Sequence, residues 1–526
     1  YPNPFNAGTM LSFTIPSGIP HFAQLDIFNI AGQKIATPFA AKASPGHHSV
    51  QWDGRSSTGL PAASGLYIYR LRTDSAERRR TMLLLREVMP PFDSARAAAT
   101  LLLFDLEKES APLDELLQGL DAKLPDNRDA RFARQLVLGS IRWQKRLDWI
   151  LTSFCSRPID KLSPWARHIL RMGVYQLFWL DRVPERAAVH TSVELAKHFA
   201  HKGVASLVNA VLRNLLRRQS QIRYPDPQRE PTAYLSVYYS HPEWLVERWL
   251  QRWNYEFVEI LLAANNEPSD LNIRLNPLRA EEELQQTLNL ETTGSLPGFF
   301  KVPSGANLFT TPAYKQGQFQ VQDPNAALAV ALLDPQPGEH LLDLCSAPGG
   351  KATQAATAMD DRGRIVAADI SPARLSRVHE NAQRLGLNSL QTVVRDGTAP
   401  GEASFDRVLA DVPCSATGVI GRHPDVRWRR EADQLPHLAA RQRLLLERAY
   451  EHLKPGGVLV YSTCSLEEEE NEKIVEQFLA QTPTAQLQRA DIQFPDQPWA
   501  QDYIQTIPGH HPGDGSFAAR IHKTAP

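Results

Sequence analysis

The stretch Phe405-Asp-Arg-Val-Leu-Ala-Asp411-Val-Pro-Cys414-Ser415 carries a thiol shortly after an apolar run, and Val458-Leu-Val-Tyr-Ser-Thr-Cys464-Ser465 repeats that arrangement. Apolar runs with β-branched residues, bounded by turn residues, are typical of buried strands in a parallel sheet. An open α/β sheet places its chemistry at the carboxyl ends of its strands. The sequence therefore predicts both thiols at adjacent strand ends of a doubly wound sheet.

A glycine-rich turn precedes both thiols, in Leu341-Leu-Asp343-Leu-Cys345-Ser-Ala-Pro348-Gly349-Gly350-Lys351. The pattern predicts a strand that breaks into a turn and enters a helix, so that backbone N–H groups can approach a ligand closely. It is not a P-loop, because Ala352 follows Gly-Lys and Cys345 stands where the first glycine would be. It also lacks G-x-G-x-x-G, which removes the strongest argument for a nicotinamide or flavin cofactor.

Acidic residues end the next predicted strands, at Asp369, Asp396 and Asp411. The first follows the turn by about 20 residues, where a carboxylate can bind ribose hydroxyls. Three carboxylates around a glycine turn without a phosphate-binding Lys-Ser/Thr pair suit an adenosine ligand that carries no phosphates. We therefore predict S-adenosyl-L-methionine as the cofactor.

In this order, these segments resemble the RNA cytosine-5 methyltransferase family, and the upstream helical half narrows the resemblance to the RsmB type, which modifies small-subunit (16S) ribosomal RNA. C5 of cytosine is a poor nucleophile, so such an enzyme first adds a thiolate to C6. The resemblance implies that Cys464 is the nucleophile, that Cys414 assists release, and that Asp411 contacts the base. It also implies a cofactor site formed by Cys345, Ser346, Ala347, Pro348, Gly349, Gly350, Lys351, Asp369, Asp396 and Asp411.

The residues alone do not separate the roles of the two thiols. In DNA cytosine methyltransferases the nucleophile follows a proline, which on motif logic favours Cys414. The alternative without chemistry is that both cysteines are small apolar fillers, since free cysteine is among the most buried residue types. Two cysteines inside recognisable motifs at adjacent strand ends favour the catalytic interpretation.

The predicted fold class is multidomain. It comprises an N-terminal β-sandwich over residues 1–88, an all-α NusB-like bundle over 91–222, a small α+β subdomain over 232–304 and an α/β Rossmann-like S-adenosylmethionine-dependent methyltransferase domain over 308–523. Apolar residues recur at spacings of three and four through the second range, as in a helical bundle. Segments such as Asp129-Ala-Arg-Phe-Ala-Arg-Gln-Leu-Val-Leu-Gly139 resemble the NusB antitermination-factor domain, which binds RNA.

Arginines near the end of the last bundle helix and in the loop after Cys414 are candidate RNA contacts, because guanidinium groups bind phosphates and splayed bases. They are Arg213, Arg217, Arg218, Arg422, Arg427 and Arg429. Taken singly, each arginine of the helix is better explained as a solvated surface residue, whereas the cluster favours RNA contact. Arg274 and Asn276 are further candidates, with a purely structural strand as the alternative. The run Glu467–Glu470 suits the first turn of a helix and is assigned no catalytic role.

The N-terminal segment has a different character. Tyr1-Pro-Asn-Pro-Phe-Asn6, Trp52-Asp-Gly54 and Ser64-Gly-Leu-Tyr67 resemble the C-terminal sorting domain of type IX secretion cargo, related to the FlgD immunoglobulin-like fold. Such a domain belongs at the end of a secreted protein. We therefore expect residues 1–88 to be the tail of a neighbouring reading frame joined to an enzyme that starts at Met89. The alternative is a genuine fusion with an inert or docking appendage.

Composition limits the remaining possibilities. Lys+Arg total 57 and Asp+Glu 58, so any RNA surface must be local. Four cysteines in 526 residues do not form a disulfide framework, which together with thiols that must stay reduced predicts a cytoplasmic protein. We expect no membrane span, no leader peptide, no metal and a monomer.

Two other functions compete with the methyltransferase. The first is a non-catalytic RNA-binding or ribosome assembly protein, which the intact thiols and Asp411 argue against. The second is a secreted adhesive protein, suggested only by residues 1–88 and opposed by the reduced thiols. The sequence leaves open which cytosine is modified and whether the substrate is naked RNA or an assembling particle.

Overall fold

The computed structural model describes residues 9–15, 21–29, 32–57, 62, 65–74, 76–84, 93–108, 113–124, 126–293, 296–303 and 308–525. The chain falls into two compact units, Tyr1–Ala97 and Ala98–Pro526. Within the described ranges, no helix has the length and apolar character needed to cross a membrane.

Antiparallel strands form the first unit. They are β1 (Thr9–Ile15), β2 (His21–Asn29), β3 (Lys34–Ala43), β4 (Gly46–Trp52), β5 (Gly65–Thr73) and β6 (Glu77–Leu84). β1 pairs with β4, and the other four strands form a sheet in the order β3-β2-β5-β6. Residues from both sheets, among them Leu11, Ile27, Trp52 and Tyr67, share one apolar core. The predicted strand-rich N-terminal region is confirmed.

A helical region begins the second unit. Its helices are α1 (Ser94–Lys108), α2 (Leu113–Lys123), α3 (Asn127–Arg142), α4 (Gln144–Thr152), α5 (Pro164–Trp179), α6 (Glu185–Phe199) and α7 (Lys202–Arg218). Asp126 caps α3 and Ser163 caps α5, each accepting a hydrogen bond from a first-turn N–H group. α3 and α5 approach closely because Gly139 leaves room for the ring of Tyr175. The predicted bundle is confirmed.

A small region of helices and one sheet follows the bundle. The elements are α8 (Pro231–Tyr238), α9 (Glu243–Arg252), α10 (Tyr255–Ala264), β7 (Asn272–Leu275), α11 (Leu284–Thr287), β8 (Glu291–Thr292), β9 (Phe299–Lys301), α12 (Pro312–Lys315) and β10 (Phe319–Val321). The strands are ordered β10-β7-β9-β8. β10 lies within the range predicted for the catalytic domain, yet it pairs with β7. The boundary predicted at residue 308 therefore cuts through this sheet, because local sequence pattern does not disclose long-range pairing.

The last region is a doubly wound sheet. Its elements are α13 (Pro324–Leu333), β11 (His340–Asp343), α14 (Gly350–Ala358), β12 (Arg364–Asp369), α15 (Pro372–Leu385), β13 (Leu390–Val394), β14 (Phe405–Asp411), α16 (Val426–Arg429), α17 (Gln434–Glu451), β15 (Leu453–Thr463), α18 (Glu472–Gln481), β16 (Ala485–Gln488), β17 (Ile504–Thr506) and β18 (Ser516–Lys523). The order is β13-β12-β11-β14-β15-β18-β16, and β17 also pairs with β18. The first five strands run parallel and β18 is antiparallel to β15. The predicted Rossmann-like fold is confirmed.

Arg427 holds several regions of the second unit together. Its side chain is 1% exposed. Its guanidinium group donates to the carbonyl oxygens of Arg142 (3.3 Å), Ser240 (2.9 Å) and Asn265 (2.9 Å), and to Oδ1 of Asn266 (2.8 Å). No described carboxylate pairs with it, and burial lowers the pKa of Arg427 well below its usual value. The prediction that Arg427 contacts RNA is therefore wrong, because the side chain is enclosed by protein acceptors.

We expect Arg427→Ala to lower the free energy of unfolding by about 3 kcal/mol, because buried acceptors would lose a charged donor. Urea denaturation followed by tryptophan fluorescence measures the change. The matched control is Arg429→Ala, since the Arg429 side chain is half exposed and pairs with Asp425 at 3.3 Å. That variant should change stability by less than about 1 kcal/mol. Equal effects of the two substitutions would contradict the structural role of Arg427.

Candidate active site

The two thiols meet at the carboxyl ends of neighbouring strands. β14 pairs with β15 so that Asp411 lies opposite Ser462, and the loops that leave these strands bring Sγ of Cys414 to 3.3 Å from Sγ of Cys464. Cys414 is 8% exposed, and Cys464 is only partly buried. The hydrogen bond with Cys464, together with burial, raises the pKa of the Cys414 thiol well above its usual value. Burial of Cys414 therefore disfavours its thiolate form.

Asp411 forms the centre of a polar cluster beside the thiols. Its Oδ1 accepts a hydrogen bond from Ser462 Oγ at 2.8 Å, and its Oδ2 pairs with Lys351 Nζ at 2.7 Å. Burial opposes the charge of Lys351, but the Asp411 carboxylate outweighs it, so the pKa of the Lys351 ammonium group is raised. The structure thus brings Asp411, Lys351 and both predicted thiols into one site.

Glu470 holds the two thiol-bearing loops together. Its carboxylate, 0% exposed, accepts from the backbone N–H of Ser415 (2.8 Å) and from Gln442 Nε2 (2.8 Å). It also accepts from the hydroxyl groups of Ser415 and Ser465, the residues that directly follow the two cysteines. Sequence reasoning missed Glu470, because a run of four glutamates gives no sign of which member is buried.

The glycine-rich turn forms as predicted. Gly349 has φ of +97° at the start of α14, a conformation that favours glycine, and a Cβ there would lie 3.0 Å from Val378. Asp369 accepts from the backbone N–H of Ala347 (3.4 Å) and Ser371 (2.9 Å), so it ties the turn to the end of β12. Asp396 is exposed and accepts from Thr398.

Asp343 fits a cationic ligand. It is fully buried, and neither carboxyl oxygen makes a hydrogen bond of normal geometry within the described part of the chain. Burial raises the pKa of Asp343 to about 7, with Asp411 adding to the shift. Ser346, Lys351 and the backbone of Cys345 offset only part of this shift, and a bound cation would stabilise the charged carboxyl group further. A ligand with sulfonium and ammonium charges therefore suits this turn.

Two cavities open beside the cluster. The smaller, ≈ 100 Å³, is lined by Lys351, Asp411 and Cys464 among others, and Cys414 is not among its described lining residues. The larger, ≈ 330 Å³, reaches into the small subdomain. Asp323 and Asp514 line both cavities. The guanidinium group of Arg422 pairs with Asp323 at 3.0 Å and with Asp514 at 2.7 Å. Burial and the nearby Asp514 raise the pKa of Asp323 to about 6.

The candidate RNA-contact residues divide by exposure. Arg213, Arg217, Arg218 and Arg429 are exposed, so their predicted contact with RNA stays a prediction. Arg422 lines the larger cavity but is already paired with two carboxylates. Arg274 is buried and donates to Gln322 (2.8 Å) and to Thr353 (3.3 Å), and Asn276 is buried between backbone carbonyls. The structural alternative for Arg274 and Asn276 is therefore correct.

Comparisons with known families match each region separately. The family described as "16S rRNA methyltransferase RsmB/F" matches residues 330–522. The NusB family matches 93–217, and the "Methyltr_RsmF/B-like, ferredoxin-like domain" matches 241–294. The FlgD Ig-like domain matches 4–77. The resemblances to the RsmB type, to the NusB domain and to the FlgD immunoglobulin-like fold are confirmed.

Full-length relatives show the same similarity. The chain is 36% identical over 445 residues to the "Probable ribosomal RNA small subunit methyltransferase B" of Synechocystis sp., covering 82% of this chain and 99% of that protein. It is 34% identical over 441 residues to the "Ribosomal RNA small subunit methyltransferase B" of Escherichia fergusonii, covering 81% and 98%. The crystal structure of PH0851 superposes with a TM-score of 0.69 at 27% identity, covering 81% of this chain and 98% of that one.

We expect Glu470→Ala to make Cys414 react with iodoacetamide at least about tenfold faster in the folded protein. Buried donors left without an acceptor cost about 1–3 kcal/mol, which favours local opening of the loop. Mass spectrometry of the labelled peptide measures the rate. The matched control is Glu469→Ala, since Glu469 is partly exposed and pairs with Arg248. An unchanged labelling rate for the Glu470 variant would show that this carboxylate does not hold the loop.

Proposed function

Because the chain belongs to the ribosomal RNA small subunit methyltransferase B family, we propose that it transfers a methyl group from S-adenosyl-L-methionine to C5 of a cytosine in 16S ribosomal RNA. The observation that carries the proposal is the pair of thiols 3.3 Å apart, with the Asp411–Lys351 ion pair beside them. A nucleophilic thiol, a second thiol and a carboxylate at one ring are sufficient for methylation at cytosine C5.

Cys464 is the proposed nucleophile. It lines the cavity next to Asp411, where a target base would bind, and its thiolate adds to C6 of cytosine so that C5 becomes enamine-like. Asp411 lies beside the ring and is oriented by Lys351 and Ser462, which suits a hydrogen bond to the cytosine edge that eases the addition. S-adenosyl-L-methionine supplies the electrophilic methyl group.

Cys414 is the proposed release thiol. Among the described residues, Cys414 does not line the cavity that contains Cys464 and Asp411, so Cys464 is better placed to reach C6. After C5 carries the methyl group, a water molecule takes the C5 proton, the C5=C6 double bond forms again, and the bond between Cys464 and C6 breaks so that the sulfur leaves with its electron pair. Cys414, 3.3 Å from Cys464, is placed to hand a proton to the departing sulfur.

We assign the cofactor to the turn at the end of β11. The proposed binding residues are Cys345, Ser346, Ala347, Pro348, Gly349, Gly350, Lys351, Asp369, Asp396 and Asp411. The support is the left-handed Gly349, which lets backbone N–H groups face a ligand, and the unpaired buried carboxyl group of Asp343. The Asp343 carboxyl group fits a positively charged adenosine ligand better than a phosphate-bearing one, whereas the backbone N–H groups of the turn alone do not distinguish the two.

The proposed partner is small-subunit ribosomal RNA. We place RNA contact in the NusB-like region at 91–222 and in the subdomain at 232–304, with the chemistry in 308–523 and residues 1–88 outside the enzyme. Arg213, Arg217 and Arg218 lie along the exposed side of α7, where they can neutralise phosphates. Thiols that must remain reduced suit the cytoplasm.

We expect Cys464→Ala to abolish both methylation and any covalent adduct with RNA. Cys414→Ala should instead leave a denaturation-resistant adduct, because addition proceeds while release is blocked. Denaturing gels with labelled ribosomal RNA and cofactor reveal the adduct, and bisulfite sequencing reveals the modified cytosine. An adduct from Cys464→Ala would reverse the two roles. Normal methylation by the double variant would refute the mechanism, and a wild-type protein that binds RNA without methylating it would favour the non-catalytic alternative.

We expect Asp369→Ala to raise the Kd for S-adenosyl-L-methionine by about 10- to 100-fold, the effect of losing a charged hydrogen-bonding group. Isothermal titration calorimetry measures this Kd, and filter binding should show unchanged RNA affinity. Glu380→Ala serves as the control, since Glu380 is exposed on α15. Equal cofactor affinity in wild type and the Asp369 variant would place the cofactor elsewhere.

A further inference from the structure

We propose that the segment Gly421–Arg430, here named the strap, transmits the docking of the helical region to the release thiol, with Arg430 as a positioning residue for Cys414. This inference rests on the proposed function, because it assigns a role in the release step. The strap is anchored at one end to the thiol loop and along its length to α3.

At the thiol end, Arg430 grips the backbone of the Cys414 loop. Its Nε donates to the carbonyl oxygen of Ser415 at 3.0 Å, and its Nη2 donates to that of Cys414 at 3.1 Å. A planar guanidinium group that binds two successive carbonyls fixes their orientation as well as their position. The next residue, Ala416, has φ of +63°, an unfavourable conformation for a residue with a Cβ. A turn of this kind needs support from outside, which Arg430 provides.

Along its length, the strap forms hydrogen bonds with the carboxyl terminus of α3. Trp428 Nε1 donates to the carbonyl oxygen of Ile141 at 2.8 Å, and Arg427 Nη1 donates to that of Arg142 at 3.3 Å. In return, Arg142 Nη2 donates to the carbonyl oxygen of Gly421 at 2.8 Å. The last carbonyls of a helix lack partners within the helix, so the strap provides donors that α3 requires.

The connection between the α3 contacts and Arg430 is short. Trp428 and Arg430 are separated by one residue, and Trp428 lies in the single turn of α16. A shift of the α3 terminus therefore moves Trp428 and, through Arg430, the carbonyl of Cys414. Cys464 follows a different strand, and no hydrogen bond joins it to the strap among the described residues. The strap therefore acts on release and leaves the addition step to β15.

The test compares covalent adduct and turnover in Arg430→Ala. We expect kcat to fall about tenfold, as for the loss of one or two hydrogen bonds to a charged donor, while KM for RNA changes by less than about twofold. The adduct should accumulate even though Cys414 is present, because addition is intact and release is slowed. Arg430→Lys keeps one cationic nitrogen in place of the two that bind the carbonyls, so its kcat should lie between those of the wild type and Arg430→Ala. Arg443→Ala, an exposed arginine on α17, is the control.

A second variant tests the helical end of the strap. Trp428→Phe keeps an aromatic ring and removes the single N–H donor to Ile141, so it should produce the same adduct accumulation with a smaller loss of kcat, about threefold. The matched control is Trp149→Phe, because the Trp149 indole also donates to a backbone carbonyl, that of Arg223, at 2.8 Å. That control should leave the adduct level unchanged.

The outcomes separate this inference from the proposed function. If Cys414→Ala traps an adduct but neither strap variant does, the strap plays no part in release and the inference is overturned while the function stands. If addition and release slow equally in Arg430→Ala and Trp428→Phe, the strap is merely structural and the inference is again overturned. If no variant, including Cys414→Ala, traps an adduct, the proposed covalent mechanism itself fails. Adduct accumulation in both strap variants, with both controls normal, supports the inference.

Discussion

Parallel pairing of β14 with β15 is the constraint on which the site depends. The register that sets Asp411 opposite Ser462 also determines where each strand releases its thiol-bearing loop. Side chains alternate along a strand, so a slip of one residue would turn the Ser462 side chain away from Asp411. Glu470 also holds the two loops together, since its carboxylate accepts hydrogen bonds from the residue after each cysteine. The close approach of the sulfur atoms follows from these two features together.

Buried charge at the site is arranged so that each group has a distinct environment. Asp411 has Lys351 as its counter-charge, whereas Asp323 and Asp514 share Arg422. Asp343 forms no salt bridge within the described residues, and burial raises its pKa to about 7. In a low-dielectric interior, a carboxyl group without a nearby cation is destabilised in its charged form. Such a site can bind a cation beside Asp343, while burial of Cys414 favours the protonated form of its thiol.

Much of this arrangement could be predicted from local sequence, and the reasons are physical. Short β-branched runs predicted β14 and β15, and the glycine turn after β11 followed from residues that need special backbone conformations. The thiols and Asp411 could be placed at one sheet edge because parallel strands share their carboxyl ends. The position of β10 could not be predicted, because its pairing with β7 joins residues distant in sequence.

The sequence also could not predict which charged side chains are buried. Arg427 and Arg429 are near neighbours in one basic run, but the first is enclosed by carbonyl groups and the second is exposed. Glu470 and Glu469 differ in the same way. Nothing in the local composition distinguishes the members of either pair. Only the folded contacts, which come from α3, from the segments that follow α8 and α10, and from α17, determine which member is buried.

The place of β18 in the sheet has a consequence for the timing of biosynthesis. This strand follows every other described strand in the sequence, yet it lies between β15 and β16, and Gly515 just before it contacts Gly418 behind the Cys464 loop. Until the ribosome has released this segment, β15 has an unpaired edge, which is prone to association with other chains. A nascent polypeptide therefore completes its catalytic sheet only after translation has passed β18.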